Sequence, residues 1–353
     1  MNQFEATFTD ISEWHKNVHY STGGTRSKYI ALEPTTNDEY FFKGSKETIE
    51  GEIRYPTEFW SEIVSSKIGQ FLGFPMLDYN IAFDENHKQR IGCISKSMIL
   101  NSNDKLTEGK TYLTGFRPHY DPDQHKKDYT FQFICDALKD FSLDHFIKNI
   151  IEIIVFDSII GNSDRHQENW GVLSTYELDE DLVKEEISSV FDKIKNKIKK
   201  LSNSNLKEET KVHVKMNSDY VTYTYNYHFA PIYDSGCCLG REHTDQRVLK
   251  MLNDKQMLEA YVKKGESEIH WNGNLKKKKH LELIELLINE NPKTKKYIKR
   301  VKERYNSELI KEIIDNIDKN IPINLINFKL SDERKQLMFK VITLRIENLI
   351  KLL

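Results

Sequence analysis

Residues 161–173 read GNSDRHQENWGVL and follow directly on the apolar run IIEIIVFDSII of residues 150–160. Upstream of this loop, Leu143, Phe146, Ile147, Ile150, Ile151, Ile154 and Val155 recur three or four apart. That period is the buried stripe of a core helix, and the helix delivers the chain to the polar loop Asn162–Asn169. Within the loop, Asp164 and Asn169 stand five positions apart. Trp170, Val172 and Leu173 then resume an apolar pattern. Further on, APIYDSG at 230–236 presents a second acidic residue, Asp234, with a glycine two positions later.

An Asp alone is weak evidence, since most are surface groups or helix caps. Asp, Asn at plus five and a distal Asp-x-Gly, each behind an apolar segment, form a coordinated pattern. Phosphoryl transfer needs ligands for the metal on the polyphosphate and a group to orient the acceptor hydroxyl. Asp164 suits the acceptor-orienting or proton-accepting role, and Asn169 and Asp234 offer the oxygen ligands that Mg²⁺ prefers. Three roles are open to Arg165 and His166: binding phosphate, orienting Asp164, or tying the loop to its lobe. Metal-dependent hydrolysis through His166 and Asp164 lacks a companion histidine cluster at ligand spacing.

Residues 1–100 have strand-like segments punctuated by turns. YSTGGTRSKYIAL, 20–32, places small residues before an alternating pattern, and EYFFKG, 39–44, reads as a short strand ending at Lys43 and Gly44. In TEFWSEIVSSKIGQFLG, 57–73, a helical stripe of Phe59, Ile63, Ile68, Phe71 and Leu72 ends at Gly73. IAFDENHKQRIGCISKSMI, 81–99, reads as two strands around a polar turn. Lys43 is placed to meet ATP phosphates, and Glu62 to pair with it from the helix, with Glu58 one turn earlier as the competitor. Ser21–Lys28 is the phosphate-loop candidate, because Gly23 and Gly24 let backbone amides approach oxygen closely. It has neither the Walker A nor the GxGxxG pattern, and a plain hairpin turn explains it almost as well.

Polar residues 101–128, with Gly109, Gly115, Pro118 and Pro122, suggest a connector or flap. Residues 179–202 carry an amphipathic helical pattern with acids early and lysines late, the order the helix dipole favours. The strand-like YVTYTYNYHF follows at 220–229. Segments near 254–264, 277–289, 293–317 and 331–352 have helical spacing of Leu and Ile.

The chain has 353 residues, with 52 Lys plus Arg against 54 Asp plus Glu, so nothing in its net charge of −2 suggests direct nucleic-acid binding. Its 4 cysteines lack the density of a disulfide scaffold or zinc cluster. No apolar run approaches a transmembrane length, and no secretory signal pattern opens the sequence. A cytoplasmic protein is expected, with export as an effector by a specialised route left open.

On these residues the chain resembles the HipA-like serine/threonine protein kinases, related in catalytic architecture to the phosphatidylinositol 3/4-kinase-like superfamily. Asn162-Ser163-Asp164-Arg165-His166 and Asn169 match the family's N-x-D-R-H-x-x-N motif, and Ala230–Gly236 matches its metal-binding segment. The resemblance runs from about residue 18 to 320. It implies an α+β, two-lobed kinase-like fold: a β-rich N-lobe over 1–100, and a mainly helical C-lobe over 101–353 with an insertion at about 174–229. It also implies ATP and Mg²⁺ as ligands, a protein substrate bearing Ser or Thr, and a phosphate loop formed by Ser21, Thr22, Gly23, Gly24 and Lys28. In the family a loop serine is autophosphorylated, ejecting the loop, which makes Ser21 a regulatory candidate with Thr22 beside it. Only about 20 residues precede the loop, where longer HipA toxins carry a further subdomain, so a compact form is expected. A small antitoxin-like partner remains open. So do a lipid or small-molecule kinase of the same fold, with the lysines of 276–279 as a weak pointer to acidic lipid, and an ATP-binding module without turnover.

Overall fold

The alternating segments of the first hundred residues pair into one sheet. In the computed structural model, which describes residues 4–17, 26–48, 50–178, 209–216, 219–273 and 276–353, the strands are β1 (Phe8–Asp10), β2 (His15–Asn17), β3 (Arg26–Leu32), β4 (Glu39–Lys46), β5 (Asn80–Phe83) and β6 (Ile91–Lys96). Their spatial order is β1-β5-β6-β4-β3-β2. β1 runs parallel to β5, and the remaining pairs are antiparallel. Tyr29, Ala31, Phe42, Ala82 and Ile94 bury a small core on this sheet. The register sets Lys28 opposite Lys43 on one side and Cys93 opposite Lys43 on the other.

Helix α1 (Glu58–Leu72) packs against β4 and β6. Its apolar residues enter the main core, yet Ser61, Glu62, Ser65, Ser66 and Lys67 are buried as well. A helix polar on a buried face must find partners there: Ser61 donates to the Cys238 carbonyl, Ser66 to that of Leu77, Lys67 pairs with Asp78, and Glu62 meets Lys43. Gly73 ends it in the left-handed region at φ +81, with the Gly73 amide donating to Gln70 O and the Phe74 amide to Gly69 O.

Beyond Lys96 the chain forms β7 (Asp104–Glu108), α2 (Gly109–Phe116), α3 (Phe131–Asp140), α4 (Ile147–Ile160), β8 (Gly171–Leu178), β9 (Glu209–Met216) and β10 (Asp219–Phe229). The four strands make an antiparallel sheet in the order β7-β8-β10-β9. There follow α5 (Asp245–Asn253), α6 (Lys255–Lys264), α7 (His280–Glu290), α8 (Lys295–Arg304), α9 (Ser307–Asp315) and α10 (Asp332–Ile350). α4 sits at the centre, against α7, α8 and α10. It is buried from Ile150 to Ile160 without interruption, and its buried Glu152 is matched by Arg300 at 2.6 Å.

The α+β expectation holds: a sheet-rich N-terminal part and a helical C-terminal part. Two local expectations do not. Residues 104–116 are a strand and a helix instead of a connector. β7 is an edge strand with no fully buried side chain, so backbone pairing to β8 holds it and no hydrophobic alternation announces it. The helical pattern over 293–317 divides at Tyr305–Asn306, where Asn306 Oδ1 accepts from the amides of Glu308 and Leu309 at 3.0 and 3.1 Å and starts α9. YVTYTYNYHF falls within β10, whereas the helix expected at 179–202 lies outside the described residues. Among the described residues no helix is long and apolar enough to cross a membrane.

Candidate active site

α4 ends at Gly161 (φ +72), and the loop behind it is held by its own side chains. Asn162, fully buried, donates from Nδ2 to Asp157 Oδ1 at 3.0 Å and accepts the Asp164 amide on Oδ1 at 3.2 Å. Asn169 closes the other end, its Nδ2 donating to the Asp164 carbonyl at 2.7 Å. One amide N–H is thereby used on the loop, and Asn169 Oδ1 is the acceptor side of the carboxamide. These bonds fix the backbone on both sides of Asp164, whose Oδ2 lies 3.0 Å from Cys237 Sγ.

Arg165 does not face an open site. It is 1% exposed and forks onto Asp157, Nε to Oδ2 at 3.0 Å and Nη2 to Oδ1 at 2.9 Å. Nη1 donates to the carbonyls of Asn169 and Tyr233, and Nη2 also to Ser235 Oγ at 3.0 Å. Burial opposes its charge, but the Asp157 carboxylate outweighs that and the pKa rises above the usual arginine value. Of the three roles open to it from sequence, Arg165 takes the tying one: it joins α4, the 162–169 loop and the Asp234 segment. His166 is more open, with Nδ1 accepting from the Glu168 amide at 3.3 Å and lying 3.8 Å from Glu168 Oε2.

Lys43 connects the sheet to this assembly. Its Nζ is 3.5 Å from Glu62 Oε1, 3.6 Å from Asp234 Oδ1 and 3.2 Å from the Tyr79 hydroxyl. Glu62, and not Glu58, is thus the helix carboxylate that meets Lys43. Asp234 occupies the left-handed region at φ +54, a conformation a short polar side chain tolerates better than most. Burial raises the Tyr79 phenol above its usual range, the Lys43 charge opposing, so Tyr79 stays neutral beside the lysine.

Glu58, the competitor named from sequence, has other partners, and several residues around it escaped the sequence reading. Glu58 accepts the Lys46 amide at 2.9 Å and pairs with Arg241 at 2.7 Å. Arg241 in turn donates to Cys237 at 2.9 Å and lies over the Tyr55 ring. A chain of contacts therefore runs from the start of α1 to Asp164. Cys237 had a visible signal, directly following Asp-Ser-Gly; Arg241 had none. Glu108, at the end of β7, has its pKa raised by burial and then by Glu168, with Lys110, Lys28 and His166 opposing. The Lys28 charge thus acts on Glu108, while Ser21, Thr22, Gly23 and Gly24 lie outside the described residues.

Asn169 and Asp234 present a carboxamide and a carboxylate, an all-oxygen pair that fits a Mg²⁺ whose other ligands are phosphate oxygens and water. Among the described residues no cluster of three or more His, Cys, Asp or Glu side chains is arranged to hold a metal by itself.

This geometry can be set against known proteins. The chain superposes on the crystal structure of a Helicobacter pylori proinflammatory kinase, CtkA, with a TM-score of 0.66 over 98% of this chain and 97% of that one. The fold is kinase-like. Sequence identity across the match is 18%, so the likeness lies in the path of the backbone. No family model and no curated protein matches the chain.

Proposed function

We propose that this chain is an ATP-dependent kinase that transfers the γ-phosphate to a Ser or Thr hydroxyl on a protein. The observation that carries the reading is Lys43 Nζ standing between Glu62 Oε1, at 3.5 Å, and Asp234 Oδ1, at 3.6 Å. A lysine so held is positioned for the polyphosphate, and Asp234 and Asn169 for the metal on it. Mg²⁺, when bound, would neutralise charge building on the transferring phosphate. Asp164 would orient the acceptor hydroxyl and take its proton, on a loop already fixed by Asn162 and Asn169. The match to the HipA-like motif and the likeness to a kinase structure support the same chemistry.

The HipA-like resemblance also supports autophosphorylation at Ser21, where added phosphate would repel the phosphates of ATP. The lysines of 276–279 give the lipid reading little support, since Lys277 pairs with Glu268, and Lys279 lies 3.7 Å from Glu282. Labelled ATP offered with protein fractions and, separately, with phosphoinositide vesicles tests the substrate class. Label on Ser or Thr of protein is expected, and label confined to lipid would remove the protein-kinase assignment. Phosphosite mapping of the purified chain then shows whether Ser21 is modified.

A further inference from the structure

Arg345, in α10, differs from the other buried arginines among the described residues. Arg165 is matched by Asp157, and Arg334, 6% exposed, by Asp245 at 2.8 Å. Arg345 is 5% exposed, and among the described residues no carboxylate lies within ion-pair distance of it. It donates from Nη1 to the Ser158 carbonyl at 3.3 Å, while its buried Nε has no hydrogen-bond partner. The fold reserves space for this guanidinium: a Cβ on Gly161 would fall 2.8 Å from Cζ, and one on Gly265 would fall 2.4 Å from Nη2.

Arg345 lines a cavity of about 220 Å³ together with His280, Lys263, Lys279 and Val262. His280 is 2% exposed, and neither ring nitrogen has a hydrogen-bond partner. It is the first residue of α7; its own amide donates to the Gly265 carbonyl at 3.1 Å, and the amides of Leu281 and Glu282 that follow have no carbonyl within the helix to bond. Lys263 and Lys279 stand at the mouth with their side chains largely in solvent. The cavity's acidic residue, Glu282, turns its carboxylate back on the Lys279 amide and ammonium. Buried donors without acceptors, a guanidinium without an ion-pair partner and a helix N-terminus converge on one space. Each of these favours an oxyanion, and Val262 with the lysine stems favours a carbon skeleton attached to it.

We propose that this cavity binds a small organic phosphate, its phosphate on Arg345 and His280 and its carbon part against Val262. The site is separate from the Asp164–Asp234 assembly but touches its support, since Ser158 and Gly161 belong to the end of α4 that launches the catalytic loop.

The test is a titration of the full chain with β-glycerophosphate, inorganic phosphate and succinate, following the His280 ring resonances, assigned by comparison with His280→Phe. Saturable shifts of His280 with β-glycerophosphate are expected, weaker with inorganic phosphate and weakest with succinate. Arg345→Met should raise the dissociation constant at least tenfold. Because Arg345→Met risks misfolding, Lys263→Glu/Lys279→Glu, at exposed positions, provides the second test and should weaken binding at least threefold. The assignment is overturned if His280 does not respond, if succinate binds as well as β-glycerophosphate, or if the lysine double variant, or a folded Arg345→Met, binds like the wild type.

Discussion

Arg165 grips Asp157 through Nε and Nη2 of its guanidinium, at 3.0 and 2.9 Å, beneath the loop that carries Asp164. Both partners are buried, so removing one strands the other. Asp157→Ala should cost about 3–5 kcal/mol, read as a lowered midpoint in urea unfolding. Asp157→Leu/Arg165→Met should recover part of that loss, because neither charge is then left unpaired.

The Lys43–Glu62 contact predicts a different outcome. Glu62→Gln keeps the shape of α1 but gives up a charge-assisted contact of about 1.5–3 kcal/mol. If that contact positions Lys43 on the polyphosphate, transfer should fall roughly tenfold to a hundredfold, measured as kcat/KM for labelled phosphate incorporation. Glu58→Gln should instead act through stability, because Glu58 serves Arg241 and the Lys46 amide and does not meet Lys43.

Gly109 begins α2 directly beneath the loop's exit, and a Cβ there would sit 2.2 Å from Trp170 Cε2. Trp170 is 1% exposed and cannot swing out without opening the core. Gly109→Ala should therefore destabilise by about 1–3 kcal/mol, measured by thermal or denaturant unfolding.

His280 and His270 are both held below the ordinary value of 6.5, first by burial and then by the positive charge of Arg345 and Lys277 respectively. The unfolded chain takes up protons at these rings that the folded chain refuses. Their contribution to stability is thus present above pH 6.5 and is lost as pH falls below it. The melting temperature should drop on acidification through that point, and His280→Phe should make the drop shallower.

Most of the arrangement of the Asn162–Asn169 loop was legible because it is local. The apolar period of α4, the five-residue step from Asp164 to Asn169 and the stripe of α1 ending at Gly73 each lie within one short segment. What sequence left open depends on contacts between distant segments. Which of Glu58 and Glu62 meets Lys43 shows only in the fold, where Glu58 pairs with Arg241, far along the chain, and Glu62 with Lys43. Arg165 reads as a phosphate ligand, an orienter of Asp164 or a tie until Asp157, Tyr233 and Ser235 are seen to use its donors. β7 was missed because an edge strand needs little apolar alternation, and α2 because it starts at a glycine.

The central claim is that Asp164 works on the acceptor hydroxyl and leaves nucleotide binding to other residues. MgATP binding and transfer of labelled γ-phosphate should be measured side by side for the wild type and Asp164→Asn. The account predicts similar nucleotide affinity in both, with transfer reduced by roughly 10²-fold or more in the variant. Undiminished transfer by a folded Asp164→Asn protein would contradict it.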